Sequence, residues 1–276
     1  MKKAHSSTPV ELEFPEPEFN FRSCVANLWN GSSPVKSHFW NALSSLLPNI
    51  EFCAIRKLLP IIPTIADEKL NREIVQFCGQ EAAHGKAHAR FNAEHLHTTY
   101  PFLAKLEAWE RGLFSIMGKV LPTRLFFALF VAVEHWTAAF SHFGLEDPEG
   151  WFADSDPTMF RLWEWHAVEE LAHKAVCFDV YRYIGGGYFF QQLGMIMLLA
   201  FVMLPGIVIR LLYFFWKDSL LFKFSTFTKL CSYLFGKSGI LSATFMEFLR
   251  YFKPGYQPWQ LDSRSLIQSW RLAYAR

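Results

Sequence analysis

Two stretches decide how this chain folds: Gln80-Glu81-Ala82-Ala83-His84-Gly85-Lys86-Ala87-His88 and, later, His166-Ala167-Val168-Glu169-Glu170-Leu171-Ala172-His173. In an α-helix, which turns by about 100° per residue, one glutamate and two histidines from each stretch fall within an arc of about 60°. These side chains are Glu81, His84 and His88 in the first stretch and His166, Glu170 and His173 in the second. Each helix therefore presents one carboxylate and two imidazoles in a single direction, and two such faces opposite each other predict a metal site.

The rest of the chain predicts an all-α protein. Glycine and proline are sparse inside the long apolar-periodic stretches, and no alternating run bounded by Asn-Gly or Asp-Gly turns is present. We predict an extended leader over residues 1–35 and a four-helix metal-binding bundle over residues 36–184. We expect residues 185–276 to form apolar and amphipathic basic helices that pack on the bundle, on a membrane, or on both.

Two further carboxylates, Glu51 and Glu134, lie in apolar helical surroundings, where burial is costly unless a cation or a hydrogen-bond partner compensates. The chain order is then Glu, Glu-x-x-His, Glu, Glu-x-x-His, which is the pattern of ferritin-like bundles that surround two iron or manganese ions. The four glutamates are separated by 30, 53 and 36 residues. These separations fit a helical hairpin, one long crossover and a second hairpin.

The predicted metal ligands share two residue types, glutamate and histidine, and are Glu51, Glu81, His84, His88, Glu134, His166, Glu170 and His173. For His88 and His166 the sequence leaves open whether they bind metal or orient the groups that do. Glu169 and Thr137 are candidates for such supporting positions, and a surface charge is the alternative for Glu169. Carboxylates with imidazoles suit two ions of iron, with manganese or zinc as alternatives, and no cysteine stands at the spacing of a structural zinc site.

Charge is distributed unevenly along the chain. Residues 1–209 carry 17 basic and 22 acidic side chains, whereas residues 210–276 carry 10 basic and 3 acidic ones. With its aromatic content, this basic region favours an anionic membrane surface over nucleic acid, and packing on the bundle is the alternative. The 26 residues from Ile184 to Ile209 lack a formal charge and are long enough to span a bilayer. A buried fifth helix or an oligomer interface, such as that of a homodimer, would also explain them.

Cysteine usage and the N-terminal residues predict a cytoplasmic protein, free or on the inner face of the cytoplasmic membrane. The cysteines are odd in number and lack Cys-x-x-Cys spacing, which is typical of buried apolar residues in a reducing compartment. They are Cys24, Cys53, Cys78, Cys177 and Cys231. Lys2 and Lys3 are not followed by the apolar run of a secretory signal.

Three segments resemble a bacterial family described as predicted metal-dependent hydrolases, a branch of the ferritin-like superfamily. The matching segments are 80–92, the pair Glu134-His135, and 165–181, with a weaker match at 252–259. The resemblance covers roughly residues 35–260. It implies the ferritin-like fold and, by the family's name, hydrolysis.

Three functions are compatible with these observations. The first is a di-iron enzyme that uses O₂ and an electron donor to oxidise a hydrophobic, lipid-like or fatty acyl substrate. The second is a dinuclear hydrolase in which metal ions activate a water molecule. The third is a ferritin-like protein that binds metal without catalysis. From ligand type and order we expect the first, with the hydrolase as the close alternative.

Overall fold

The computed structural model describes residues 5–21 and 28–274, so Lys2, Lys3 and Cys24 lie outside the described residues. Within these ranges the chain forms helices and no β-strand, which confirms the all-α prediction. The helices are α1 (Pro34–Leu58), α2 (Glu68–Phe91), α3 (His97–Thr99), α4 (Phe102–Val120), α5 (Thr123–Glu146), α6 (Pro148–Phe152), α7 (Pro157–His173), α8 (Val176–Tyr183), α9 (Tyr188–Leu198), α10 (Leu204–Lys217), α11 (Phe224–Phe235), α12 (Ile240–Tyr251) and α13 (Arg264–Tyr274).

Side-chain caps fix where the site helices begin. The Asp67 carboxylate accepts a hydrogen bond from the Leu70 amide at 2.7 Å and starts α2. Asp156 accepts from the Thr158 amide at 2.8 Å, and Pro157 occupies the first turn of α7. Each cap satisfies amide groups that have no partner inside the helix. Asp67 lies about four turns before Glu81 in α2, and Asp156 lies about three turns before His166 in α7.

A proline lies inside α1 without ending the helix. Pro48 has no amide hydrogen, so it cannot bond to the carbonyl of Ser44, four residues earlier. That carbonyl instead accepts a hydrogen bond from Asn92 Nδ2 at 2.8 Å. Asn92 opens a π-helical turn, Asn92–Leu96, directly after α2. The proline therefore creates a polar link between α1 and the end of α2.

Four helices carry the predicted ligands and pack as two pairs. α1 packs along α2, α5 packs along α7, and α2 also contacts α7. α4 makes the crossover between the two pairs and packs on α1. The all-α architecture agrees with the prediction, while a ferritin-like bundle topology for these four helices stays a prediction.

Among the residues that the structure describes, two helices are long and apolar enough to cross a membrane by length and composition. α5 has 24 residues and is mostly buried in the protein. The second runs from Tyr188 to Lys217, because a π-helical turn, Leu199–Met203, joins α9 to α10. One side of this long helix packs along α5, and its most apolar 18-residue window is only 39% buried. Arg210, within it, is fully buried and pairs with Glu110 of α4 at 2.5 Å between Nη2 and Oε2.

The contact between α5 and α9 depends on a glycine, which gives a stability prediction. A Cβ atom at Gly194 would lie 2.5 Å from the carbonyl carbon and oxygen of Ala128, whereas a Cβ at the exposed Gly79 of α2 would meet no atom within 4 Å. Gly194→Ala should lower the free energy of unfolding by about 1–3 kcal/mol through overpacking. Gly79→Ala should raise it by about 0.5–1 kcal/mol through helix propensity. Urea denaturation of both variants checks this, and equal effects would contradict it.

Candidate metal centre

Four glutamates from four helices meet in the interior. They are Glu51 on α1, Glu81 on α2, Glu134 on α5 and Glu170 on α7, and each is 3% exposed. Together they line a cavity of about 10 Å³. Thr137, one turn after Glu134, donates a hydrogen bond from its hydroxyl to Glu170 Oε2. The structure therefore brings the four predicted carboxylates to one buried point.

The two oxygens of Glu170 face different imidazoles. Oε1 lies 3.0 Å from His166 Nε2 and 3.7 Å from His84 Nδ1. Oε2 lies 3.4 Å from His173 Nε2. Glu170 therefore offers one oxygen to His166 and His84 and the other to His173.

His173 and its neighbours form one group of potential metal ligands. His173 Nε2 lies 3.1 Å from Glu81 Oε1 and 3.5 Å from Glu134 Oε2. The ligand atoms of Glu134, Glu170 and His173 all lie within 4.8 Å of one another. This group is able to hold a metal ion.

His84 and His166 lie on the other side of Glu170. Their rings stack with centroids 4.0 Å apart, and His166 Nε2 lies 3.9 Å from Glu51 Oε1. Two further groups have ligand atoms that all lie within 4.8 Å of one another. One is Glu51 with His84 and His166, and the other is Glu81 with His84 and Glu170. Because His84 and Glu170 each belong to two groups, the groups overlap.

The outward nitrogen of His173 is hydrogen-bonded. His173 Nδ1 lies 3.1 Å from Gln80 Oε1, and Gln80 Nε2 donates to the carbonyl oxygen of Leu12 at 2.9 Å. Because the Gln80 amide nitrogen is used for Leu12, its oxygen faces the ring and accepts the Nδ1 proton. The inward Nε2 of His173 is then an unprotonated acceptor that faces three carboxylate oxygens.

The outward nitrogen of His84 faces a carboxylate instead of an amide oxygen. Its Nε2 lies 2.9 Å from Glu169 Oε2, and Glu169 Oε1 accepts a hydrogen bond from Trp165 Nε1 at 2.9 Å. Glu169 is 3% exposed, so the surface-charge alternative for this residue is wrong. Its position matches a carboxylate that orients a metal-binding histidine. The inward atom of His84 is then Nδ1.

A chain of hydrogen bonds places His88 behind His166. His88 Nε2 lies 2.8 Å from His166 Nδ1, and His88 Nδ1 lies 2.9 Å from Ser44 Oγ. The Ser44 hydroxyl donates to Asn92 Oδ1 at 2.8 Å, so it can only accept from His88. His88 Nε2 must then accept the Nδ1 proton of His166, which leaves His166 Nε2 unprotonated and facing Glu170. His88 has both ring nitrogens engaged and does not itself face the carboxylates.

Burial and mutual repulsion act on the pKa values of the glutamates. Burial, followed by the charge of Glu81, raises the pKa of Glu51 well above 4.5. Burial and the charge of Glu170 do the same to the pKa of Glu134 and raise the pKa of Glu81. The pKa of Glu170 is lowered, because His173 and His166 outweigh its burial.

The pKa values of the three histidines shift in different directions, because their neighbours differ. Burial and the charge of His84 lower the pKa of His166 to about 4, which favours its neutral, ligating form. Burial and His166 lower the pKa of His88 well below 6.5. Burial alone would lower the pKa of His84, but Glu169 and Glu81 outweigh it and raise that pKa well above 6.5.

Several buried atoms of the cluster have no hydrogen-bond partner. They are both carboxylate oxygens of Glu51, Glu81 Oε1, Glu134 Oε2, His84 Nδ1 and His173 Nε2. Unpaired buried polar atoms each cost about 1–3 kcal/mol and are rare in folded proteins. These atoms are all acceptors that point at one another. The donor set therefore fits metal cations, which are the partners that such a cluster lacks.

An apolar cavity of about 60 Å³ reaches the cluster from one side. His166, Glu170 and Thr137 form its inner wall, and aromatic and aliphatic side chains form most of the remainder. These include Trp40, Trp136, Phe140, Phe152, Phe160, Trp163, Leu43, Leu47 and Met203. A small apolar group in this cavity would contact the metal-facing side of Glu170.

Sequence reasoning missed the residues that orient the imidazoles. Gln80, Ser44, Asn92 and Trp165 are buried and hydrogen-bonded to predicted ligands or their supports. The sequence marks Gln80 only by its position directly before Glu81. No local pattern marks Ser44 or Asn92, which come together only through the α1–α2 packing.

The crowding of carboxylates gives a prediction about Glu51. Glu51→Gln removes either a buried charge or the proton uptake that neutralises it. In the presence of chelator, the free energy of unfolding of the variant should therefore be about 1–3 kcal/mol higher than that of the wild type. The stabilisation by added Mn²⁺ or Fe²⁺ should be smaller in the variant, because a ligand is lost.

Glu73→Gln is the matched control for this measurement. Glu73, on α2, is a buried glutamate like Glu51, but its Oε1 lies 3.6 Å from Lys69 Nζ and it does not belong to the cluster. Thermal melts with chelator and with metal check both variants. A full metal response in Glu51→Gln would remove Glu51 from the cluster's function.

Comparison with known proteins agrees with the resemblance noted in the sequence. No curated protein and no solved structure matches the chain. The family described as "Predicted metal-dependent hydrolase" matches residues 15–262. This match spans most of the chain, and the protein therefore belongs to the family of predicted metal-dependent hydrolases.

Proposed function

We propose that the protein is a hydrolase that uses two metal ions and acts on a substrate with an apolar group. The observation that carries the proposal is the cluster of unpaired carboxylate and imidazole acceptors around one buried cavity. The family's description supports hydrolysis over the oxidation that ligand type alone favoured.

Seven side chains would hold the two ions. Glu51, His84 and His166 face one position, Glu134 and His173 face the other, and Glu81 and Glu170 face both. Carboxylates and imidazoles suit iron or manganese, and zinc is also compatible with them. When bound, such ions polarise a carbonyl or phosphoryl oxygen and lower the pKa of water towards neutrality.

The protein's own residues would position the substrate and exclude solvent. The apolar cavity would bind the hydrocarbon part of the substrate against Trp163 and Phe140, with its polar end towards Glu170 and His166. Thr137 would hold Glu170 through the hydroxyl hydrogen bond. Glu169, Gln80 and His88 would each hold one ring nitrogen of a histidine, so that the other ring nitrogen of His84, His173 and His166 is aimed at the centre.

Oxygen-dependent oxidation is the second candidate. The largely aromatic and aliphatic lining of the cavity favours it, because such walls suit a substrate that offers only C–H bonds. This reaction would need two irons and an external electron donor. A metal-binding protein without catalysis would leave the apolar cavity beside Glu170 without a role.

Metal content and turnover test the proposal on the purified full chain. We expect about two ions per chain, and hydrolysis of aryl esters or phosphoesters that chelator abolishes, added metal restores and removal of O₂ does not affect. Glu134→Ala should lower metal content and turnover by at least about tenfold, because it deletes a ligand. Glu73→Ala, which deletes a buried glutamate outside the cluster, should keep both.

Two outcomes would contradict the proposal, the first its reaction and the second its metal site. One is two irons per chain with product formation only when O₂ and a reductant are supplied, which would establish the second candidate. The other is retention of full metal content and turnover in Glu134→Ala, which would remove α5 from the site.

The cavity gives a prediction about substrate length. Ala167 lines the cavity beside His166, and Ala167→Phe would fill much of its volume. The variant should lose activity on long-chain aryl esters by about tenfold or more through a raised KM, while short-chain esters and metal content change little. Kinetics across aryl esters from acetate to laurate check this. An equal loss at all chain lengths would show that the cavity does not bind the acyl chain.

A further inference from the structure

The long helix formed by α9 and α10 has an unburied apolar side. Leu204, Val208, Leu212 and Trp216, spaced by four residues, are 47–60% exposed and form one row. The opposite side, with Met195, Leu198 and Phe214, is buried against the protein. Rows of this kind are uncommon on surfaces that face only water.

A second apolar row lies on the neighbouring helix α4. Trp109, Leu113, Ile116 and Val120 are exposed at helical spacing. The buried Arg210–Glu110 pair joins α10 to α4, and the rings of Phe102 and Tyr213 lie 5.2 Å apart across the same junction. The two rows therefore lie on adjacent helices.

The segment after α10 adds aromatic side chains that extend into solvent. Phe222 is 94% exposed and Phe224 is 78% exposed, and Phe227 and Phe235 of α11 are also exposed. α11 packs on α1 and α12. We call the exposed side chains of α4, α10, the loop 218–223 and α11 the aromatic surface.

The charges on the aromatic surface have one sign. Lys217, Lys223, Lys229 and Lys237 are exposed, as are Lys105, Arg111 and Lys119 of α4. Within the described residues 184–249 and along α4, no carboxylate is fully exposed. Asp218 is half-buried and held by His38 at 2.8 Å, Glu107 is half-buried, and Glu110 and Glu247 are buried.

We propose that the aromatic surface docks on an anionic lipid bilayer and inserts its apolar side chains into the headgroup region. Exposed aromatic and aliphatic side chains combined with lysines and arginines, and without exposed acids, match what a helix at such an interface requires. The occupant is a bilayer rather than a second copy of the chain, because two like-charged copies of this surface would repel each other when they met.

The structure also indicates how deep the contact goes. Arg210 lies inside the Tyr188–Lys217 helix, is fully buried and is engaged by Glu110 and Ser45. The helix face that carries Met195 and Phe214 is packed on the protein and is not available to lipid. Only the outer row can enter the bilayer, so the contact is interfacial and not a membrane span.

Docking would bring lipid near the apolar cavity. Met203, in the π-helical turn between α9 and α10, is one of the residues that line that cavity. Its neighbours Phe201 and Leu204 are exposed on the aromatic surface. The docking inference stands on these surface features and does not depend on the reaction at the metal centre.

Vesicle sedimentation of the full chain tests the proposal. We expect binding to phosphatidylcholine vesicles that contain phosphatidylglycerol, weaker binding to pure phosphatidylcholine, and loss of binding as salt is raised. The double variants Phe222→Ser/Phe224→Ser and Lys217→Glu/Lys223→Glu should each bind about tenfold or more weakly. Val75→Ser and Lys86→Glu, at exposed positions of α2, are the controls and should bind like the wild type.

Hydrogen exchange on the vesicles should show new protection in α4, α10 and α11. Several results would overturn the proposal: no binding above the pure phosphatidylcholine level, binding unchanged in both double variants, or release only by detergent, which would indicate a span. Light scattering that shows a dimer dissociated by Phe222→Ser/Phe224→Ser would instead assign the surface to self-association.

Discussion

The repulsion among four buried carboxylates is the constraint on which the rest of this structure depends. Glu51, Glu81, Glu134 and Glu170 come from four helices and meet where water is excluded. Both oxygens of Glu51, Oε1 of Glu81 and Oε2 of Glu134 have no hydrogen-bond partner among the described residues, and Thr137 donates to the carboxylate of Glu170 alone. Divalent cations would turn this repulsion into the strongest attraction between the helices. The metal dependence in the family's description and the convergence of four helices on these carboxylates therefore have the same electrostatic basis.

The surrounding residues determine how the imidazoles meet that centre. Gln80, Glu169 and His88 each engage one ring nitrogen of a histidine and leave the other facing inward. The glycine at 85 contributes in a different way, because a Cβ there would lie 2.9 Å from Glu51 Oε2. A side chain at position 85 would therefore have to displace the Glu51 carboxylate and the ring of Phe52. Orientation and distance are thus set by residues that would bind no metal.

The sequence predicted the parts of the site that follow from periodicity. Glu81 and His84, like Glu170 and His173, share a helix face because of their spacing, and Glu134 was conspicuous among apolar neighbours. The supporting network was not predictable in this way, because Ser44 and Asn92 meet across two helices and neither spacing nor composition marks them. Glu169 was ambiguous for a related reason: its helix angle suggested the outside, whereas Trp165 and the α2–α7 contact enclose it. The helical fold followed from composition, but neither the half-exposed packing of Tyr188–Lys217 nor the burial of Arg210 against Glu110 could be predicted from it.

Pro48 illustrates how a main-chain irregularity can act on side-chain chemistry at a distance. Because Pro48 lacks an amide hydrogen, the carbonyl of Ser44 has no partner within the helix, and it accepts a hydrogen bond from Asn92 Nδ2 instead. This fixes which end of the Asn92 amide faces the serine hydroxyl, and through the serine and His88 it selects one tautomer of His166. Any residue with an amide hydrogen at position 48 would compete for the same carbonyl. The backbone of α1 thus helps to decide which nitrogen of a ring on α7 carries the proton, although no side chain of Pro48 needs to approach that ring.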